Sequence, residues 1–155
     1  MESKDALLRL HKSHAALLNT ISGLSPDELT HIQVEGVWTT KDLLGHITAW
    51  DQTLLEPLSK FVNGGAFTAR VIPDHDVWNH AQASQRAAWS YSKIFDEMET
   101  TRKELLGLTE KISEAQWIQT FLAPWGDRNN LIEMISGLAW HEEEHTKSIL
   151  QKFPK

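Results

Sequence analysis

Apolar residues recur along this chain at spacings of three and four, and no stretch of alternating apolar and polar residues competes, so the pattern predicts helices from end to end. Leu7, Leu10, Leu17, Leu18, Ile21 and Leu24 form the first stripe, on a helix over about residues 4–24. Ser25-Pro26-Asp27-Glu28 has the form of a helix start, with serine as cap, proline at the first position and acids in the first turn, and predicts a short helix with His31 exposed. Thr39 or Thr40 caps a second long helix carrying Leu43, His46, Ile47, Trp50, Leu54 and Leu58, which Pro57 should kink or end. Residues 63–74 read as a loop, long for a compact bundle and of a length that tends to cover a binding site. A third long helix is predicted from His75 or Asp76 to Leu108, capped by Asp74 or Asp76, with Val77, Ala81, Ala88, Ile94, Met98 and Leu105 along it. Ser113 caps another short helix, residues 121–130 form a loop, and Asn129 or Asn130 caps a last helix ending near Phe153. Four long amphipathic helices pack as an all-α four-helix bundle with short extra helices in the connections.

At 155 residues the chain has the size of one domain, 1–155, with a core that removes about two-thirds of its unfolded surface from water. Its net charge is −6, and its lysines and arginines are scattered, so it has no surface that would track phosphates and nucleic acid is not an expected partner. Cysteine is absent, which removes disulfides, thiolate ligands and cysteine nucleophiles together. The N-terminus leads directly into an amphipathic pattern and no apolar run reaches the length of a membrane span; a soluble, cytoplasmic protein is expected.

The chemistry concentrates in Trp140-His141-Glu142-Glu143-Glu144-His145. Histidines four apart on a helix project within about 40° of each other, one turn apart, and so can clamp a metal ion. Leu131, Met134, Leu138 and Ile149 share their face, so both imidazoles should point inward, with Glu143 opposite on the solvent side. His46 also lies mid-stripe, so the second and last helices of a bundle can present three imidazoles, His46, His141 and His145, to one point. Glu142 and Glu144 flank the pair, as acceptors for a ring N–H or as the general base at a metal-bound water. His14 is read instead as a core-edge histidine bonded to a polar neighbour. Seven tryptophans are many for this length; Trp38, Trp50, Trp78 and Trp140, with Asn79, suit an apolar small-molecule pocket. The stretch also matches His-Glu-x-x-His of zinc peptidases, but no His, Asp or Glu follows His145 as a further ligand and no edge strand is predicted to align a peptide.

Trp38-Thr39-Thr40-Lys41-Asp42-Leu43-Leu44-Gly45-His46, followed by His141-x-x-x-His145, resembles the DinB/YfiT-like superfamily over nearly the whole chain. The same stretch, with Val77-Trp78-Asn79, is similar to its ClbS/DfsB branch. The resemblance implies a four-helix bundle with His46, His141 and His145 as ligands of a divalent metal, Zn or Ni first, Fe or Mn next. It implies a metal-dependent hydrolase, or a transferase using a low-molecular-weight thiol, acting on a small molecule. The alternative is a non-catalytic small-molecule or toxin-binding resistance protein of ClbS/DfsB type. A homodimer is a further implication.

Overall fold

The computed structural model describes all of residues 1–155. In chain order it contains α1 (Ser3–Ser22), α2 (Pro26–Thr30), β1 (Gln33–Glu35), β2 (Trp38–Thr39), α3 (Thr40–Gln52), α4 (Leu55–Val62), α5 (His75–Arg86), α6 (Tyr91–Thr109), α7 (Glu114–Trp117), β3 (Thr120–Leu122), β4 (Arg128–Asn130) and α8 (Leu131–Lys152). The long helices α1, α3, α6 and α8 form a four-helix bundle in which α1 lies along α8 and α3 along α6. The starts follow the predicted capping: Ser25, Thr39, Ser113 and Asn130 each accept a bond from the backbone N–H three residues on, and the side chains of Glu28, Asp42, Gln116 and Glu133 accept one from the cap residue's own N–H.

Three expectations are corrected. The second helix breaks at Thr53–Leu54, and Pro57 sits in the first turn of α4. In a continuous helix its ring would collide with the carbonyl of Thr53, four residues back, whereas in a first turn it gives up only an N–H with no helical partner. The third helix is two, α5 and α6, separated at residues 87–90, with the Ser90 hydroxyl accepting from Lys93 N–H to start α6. Here α5 packs on α3 outside the bundle, so Val77 and Ala81 are exposed, and Ala88 is exposed in the connection to α6. The third correction is the presence of strands. Two antiparallel hairpins, β1–β2 and β3–β4, precede α3 and α8, each turning through a glycine with positive φ, Gly36 (+56°) and Gly126 (+101°). Strands of two or three residues are too short to display alternation.

The apolar core is in two parts. One contains Leu10, Leu54, Leu105, Met134 and Leu138, the other Leu17, Leu43, Ile47, Met98 and Ile149. Between them each long helix contributes polar side chains to a cross-section of the bundle: Ser13 and His14 from α1, Asp51 from α3, Thr101 and Arg102 from α6, Glu142 and Thr146 from α8. Arg102 is its hub. Its Nε (3.0 Å) and Nη2 (2.8 Å) donate to Asp51 Oδ2, while Nη1 (3.0 Å) and Nη2 (3.1 Å) donate to the two oxygens of Glu142. Glu142 also accepts from Ser13 Oγ (2.6 Å) and from His14 Nδ1 (2.9 Å), and His14 Nε2 meets Glu99 at 2.6 Å. Arg102, Asp51 and Glu142 are all buried, so the layer persists only because its charges are matched.

Candidate metal centre and adjoining cavity

Position and neighbouring helices bring His46 of α3 and His141 and His145 of α8 together. The Nε2 atoms do the meeting: His141 Nε2 lies 2.9 Å from that of His46 and 3.1 Å from that of His145, and one donor atom from each ring falls within 4.8 Å of the others. The β1–β2 hairpin supports this cluster from one side. Glu35 Oε1 accepts from His145 Nδ1 at 2.8 Å, which fixes the proton on Nδ1 and leaves the Nε2 lone pair facing the other two rings. Trp38 packs on the His46 ring with centroids 4.8 Å apart.

Burial, reinforced by the repulsion of the other two rings, pushes His46 down to about 2, and burial with the His145 neighbour pushes His141 down to about 3. Both are therefore neutral donors over the physiological range. Neutral imidazoles whose nitrogens face one another can share at most a few protons, so the lone pairs are poorly satisfied by each other. An ion would satisfy them: nitrogens bound to one Zn at about 2.0–2.1 Å stand roughly 3.3 Å apart, close to the 2.9 and 3.1 Å that separate His141 Nε2 from the other two. His46 Nδ1 is buried with no partner, so this ring lacks the acceptor that Glu35 provides for His145. The donor set fits a divalent metal, and with three protein ligands it fits an open site rather than a closed structural one.

A cavity of about 390 Å³ adjoins the cluster, and His46 and His141 form part of its wall. Trp50, Asn79 and Trp140 line it, together with His75 from the first turn of α5 and with Trp125 and Asp127, which the sequence pattern did not single out for it. Trp50 Nε1 donates to Asn79 Oδ1 (2.9 Å) and Trp125 Nε1 to Asn129 Oδ1 (3.0 Å), so both indoles are locked in place. Trp78 is not in the wall: it packs behind Trp50, ring centroids 4.6 Å apart, and lines a separate cavity beside α4.

The flanking glutamates are elsewhere. Glu142 points into the polar layer, where both its oxygens are taken up by Arg102, Ser13 and His14. Burial alone would raise its carboxyl, but the bonds from His14 and Arg102 outweigh burial and hold it below the ordinary range. Glu144 is exposed, and Glu143, expected in solvent, forms a two-pronged pair with Arg9 of α1 at 2.7 and 2.8 Å. The carboxylate that serves the histidines is Glu35, which the sequence reading missed. Its signal was Gly36, a turn residue after Gln33-Val34-Glu35 and before Trp38 that a hairpin reading would have used.

Comparison with known proteins places the chain in a family. The family model described as the DinB superfamily matches residues 9–149. A protein of Oceanobacillus iheyensis named "Putative metal-dependent hydrolase" is 22% identical over 130 residues, covering 84% of this chain and 73% of that protein. Among solved structures, the mycothiol-dependent maleylpyruvate isomerase superposes with a TM-score of 0.81 at 13% identity, over 96% of this chain and 61% of the isomerase. The colibactin self-resistance protein ClbS, solved with double-stranded DNA, gives 0.76 at 13% identity over 99% and 97%. At such identities the superpositions speak for the fold alone.

Proposed function

Because the chain belongs to the DinB superfamily, we propose that it is a metal-dependent enzyme of the hydrolase type, acting on a small molecule in the cavity beside His46, His141 and His145. The observation that carries this reading is the convergence of three Nε2 atoms at the wall of a cavity large enough for a small substrate. An all-imidazole donor set suits Zn or Ni, then Fe or Mn. When bound, such an ion supplies Lewis acidity, polarising a substrate oxygen and acidifying water.

The chain's own residues divide the remaining work. His46, His141 and His145 hold the ion as neutral donors, with Glu35 fixing the tautomer of His145. Trp50 and Trp140 bound the substrate, and Asn79 holds the Trp50 ring. Since Glu142 is committed to the polar layer and Glu144 is exposed, neither serves as base; His75, in the cavity wall, is assigned to carry the proton. Water is favoured over an acidic low-molecular-weight thiol as the nucleophile, because no lysine or arginine lines the cavity to receive a thiol's carboxylates.

Metal analysis of untagged protein tests the reading. About one equivalent of Zn or Ni in the wild type, lost in both His46→Ala and His141→Ala, is expected, with turnover of ester and amide libraries abolished in step. Absence of metal after reconstitution would overturn it, and stoichiometric protection from a toxin without turnover would mark a binding protein instead.

A further inference from the structure

The composition of the cavity wall says more than its size. Three indoles, Trp50, Trp125 and Trp140, face a space whose only acidic lining residue is Asp127 and which no lysine or arginine lines, its other titratable residues being the imidazoles of His46, His75 and His141. The N–H groups of Trp50 and Trp125 are already bonded to Asn79 and Asn129, so what these two rings offer a ligand is their apolar, electron-rich faces. Asp127, in the turn between β3 and β4, forms no ion pair with any lysine or arginine of the chain, although the protein has 15 of them. Trp125 is held against α8, where a side chain at Gly137 would touch its ring at 3.5 Å, so the wall around Asp127 is firmly placed.

Aromatic faces with one free carboxylate are the surroundings that stabilise a poorly hydrated organic cation, while they repel an anion. We propose that this cavity selects small molecules bearing an ammonium or amidinium group, with Asp127 as counter-charge and the Trp50, Trp125 and Trp140 rings as the cage. Seating the cationic end against the β3–β4 turn leaves the remainder of the molecule toward His46 and His141. This inference rests on the reading of the cavity as the substrate site and adds the substrate's chemical class to it.

The test uses three compounds of one shape: choline, its uncharged carbon isostere dimethylbutanol, and the anion dimethylbutanoate, titrated into full-length protein by calorimetry and by NMR of the indole N–H signals. Choline should bind about tenfold more tightly than dimethylbutanol and shift the Trp50 and Trp125 signals, with dimethylbutanoate weakest. Asp127→Asn, a change at an exposed turn position, should weaken choline about five- to tenfold and leave dimethylbutanol unchanged. Equal binding of choline and its isostere, preference for the anion, no binding of choline, or an unaltered Asp127→Asn variant would each overturn the proposal. Each titration is repeated on His145→Ala. Wild type that takes up no metal yet keeps the preference for choline sinks only the metal reading, wild type that binds one equivalent of metal without that preference sinks only this one, and His145→Ala, which should lose the metal, should keep the preference.

Discussion

Arg102→Met isolates the energetics of the polar layer. Methionine fills much of the arginine stem's volume but removes four charge-assisted hydrogen bonds, leaving Asp51 and Glu142 in the bundle interior with Ser13 and His14 as the remaining partners of Glu142. Asp51 bears most of the change: it has no other partner, and its Oδ1 is already buried without one. Breaking a buried pair by deleting one member costs about 3–5 kcal/mol. For a domain of this length each kcal/mol moves the melting point by about 2–4 °C, so the expected fall is roughly 6–20 °C. The pH dependence has a definite sign. Burial, helped by the Glu142 charge and opposed by Arg102, already lifts the Asp51 carboxyl to about 6 from its ordinary 3.8. A raised carboxyl binds its proton more tightly in the folded state, so its contribution to stability falls as pH rises from about 4 to 6. Without Arg102 the carboxyl rises further, and the variant's deficit against wild type should shrink on going from pH 8 to pH 5. Urea unfolding at both pH values measures this, and Arg102→Met/Asp51→Leu should recover most of the loss at pH 8 because it removes the stranded charge. A loss under about 1 kcal/mol, or a double variant no better than the single, would refute the account.

Glu35→Ala removes the acceptor that orients His145, and chelator competition should show metal held about 10–100-fold more weakly, with stoichiometry at saturation unchanged; an unaltered dissociation constant would show that the hairpin does not tune the site. Gly126→Ala meets no atom within 4 Å, so its cost is confined to a backbone at φ +101°. Calorimetry should find about 1–2 kcal/mol of destabilisation, and Gly23→Ala, at an ordinary φ with equally open surroundings, should show none of it.

The bundle and its three inward histidines were legible because both depend on helical periodicity over long segments: His46 between Leu43 and Trp50, and His141 and His145 on the face of Leu138 and Ile149, can project only into the core. What stayed hidden depends on pairing between distant residues. Asp51 and Arg102 each look like a surface charge in a mixed helix, and only the packing of α3 on α6 shows that they face one another. Glu142 illustrates the same limit: adjacent to His141 in sequence, it is rotated about 100° from it on the helix and so enters the polar layer rather than the histidine cluster. The α5–α6 break was partly readable in Ser90-Tyr91-Ser92-Lys93, a cap sequence masked by the apolar periodicity running on either side of it.

The polar layer and the three-histidine cluster are mechanically linked, and this yields a last expectation. One guanidinium on α6 ties Asp51, five residues beyond His46 on α3, to Glu142, which lies between His141 and His145 on α8. The two helices that carry the three histidines are therefore joined through a third at a point within two turns of each of them. Metal coordination tolerates displacements of only about 0.2 Å in ligand distance, far less than the 1.5 Å rise of one residue, so small slippage of α3 against α8 is enough to loosen an ion. Leu105→Ala is the control: Leu105 is on the same helix one turn further on, fully buried among apolar side chains, and its truncation costs a similar 2–5 kcal/mol without touching the clamp. At a temperature where both variants are folded, Arg102→Met should bind Zn at least about tenfold more weakly than wild type, while Leu105→Ala binds it as wild type does. Equal losses would mean that metal affinity follows global stability; a loss confined to Arg102→Met would show that the buried charges set the register in which the three histidines meet.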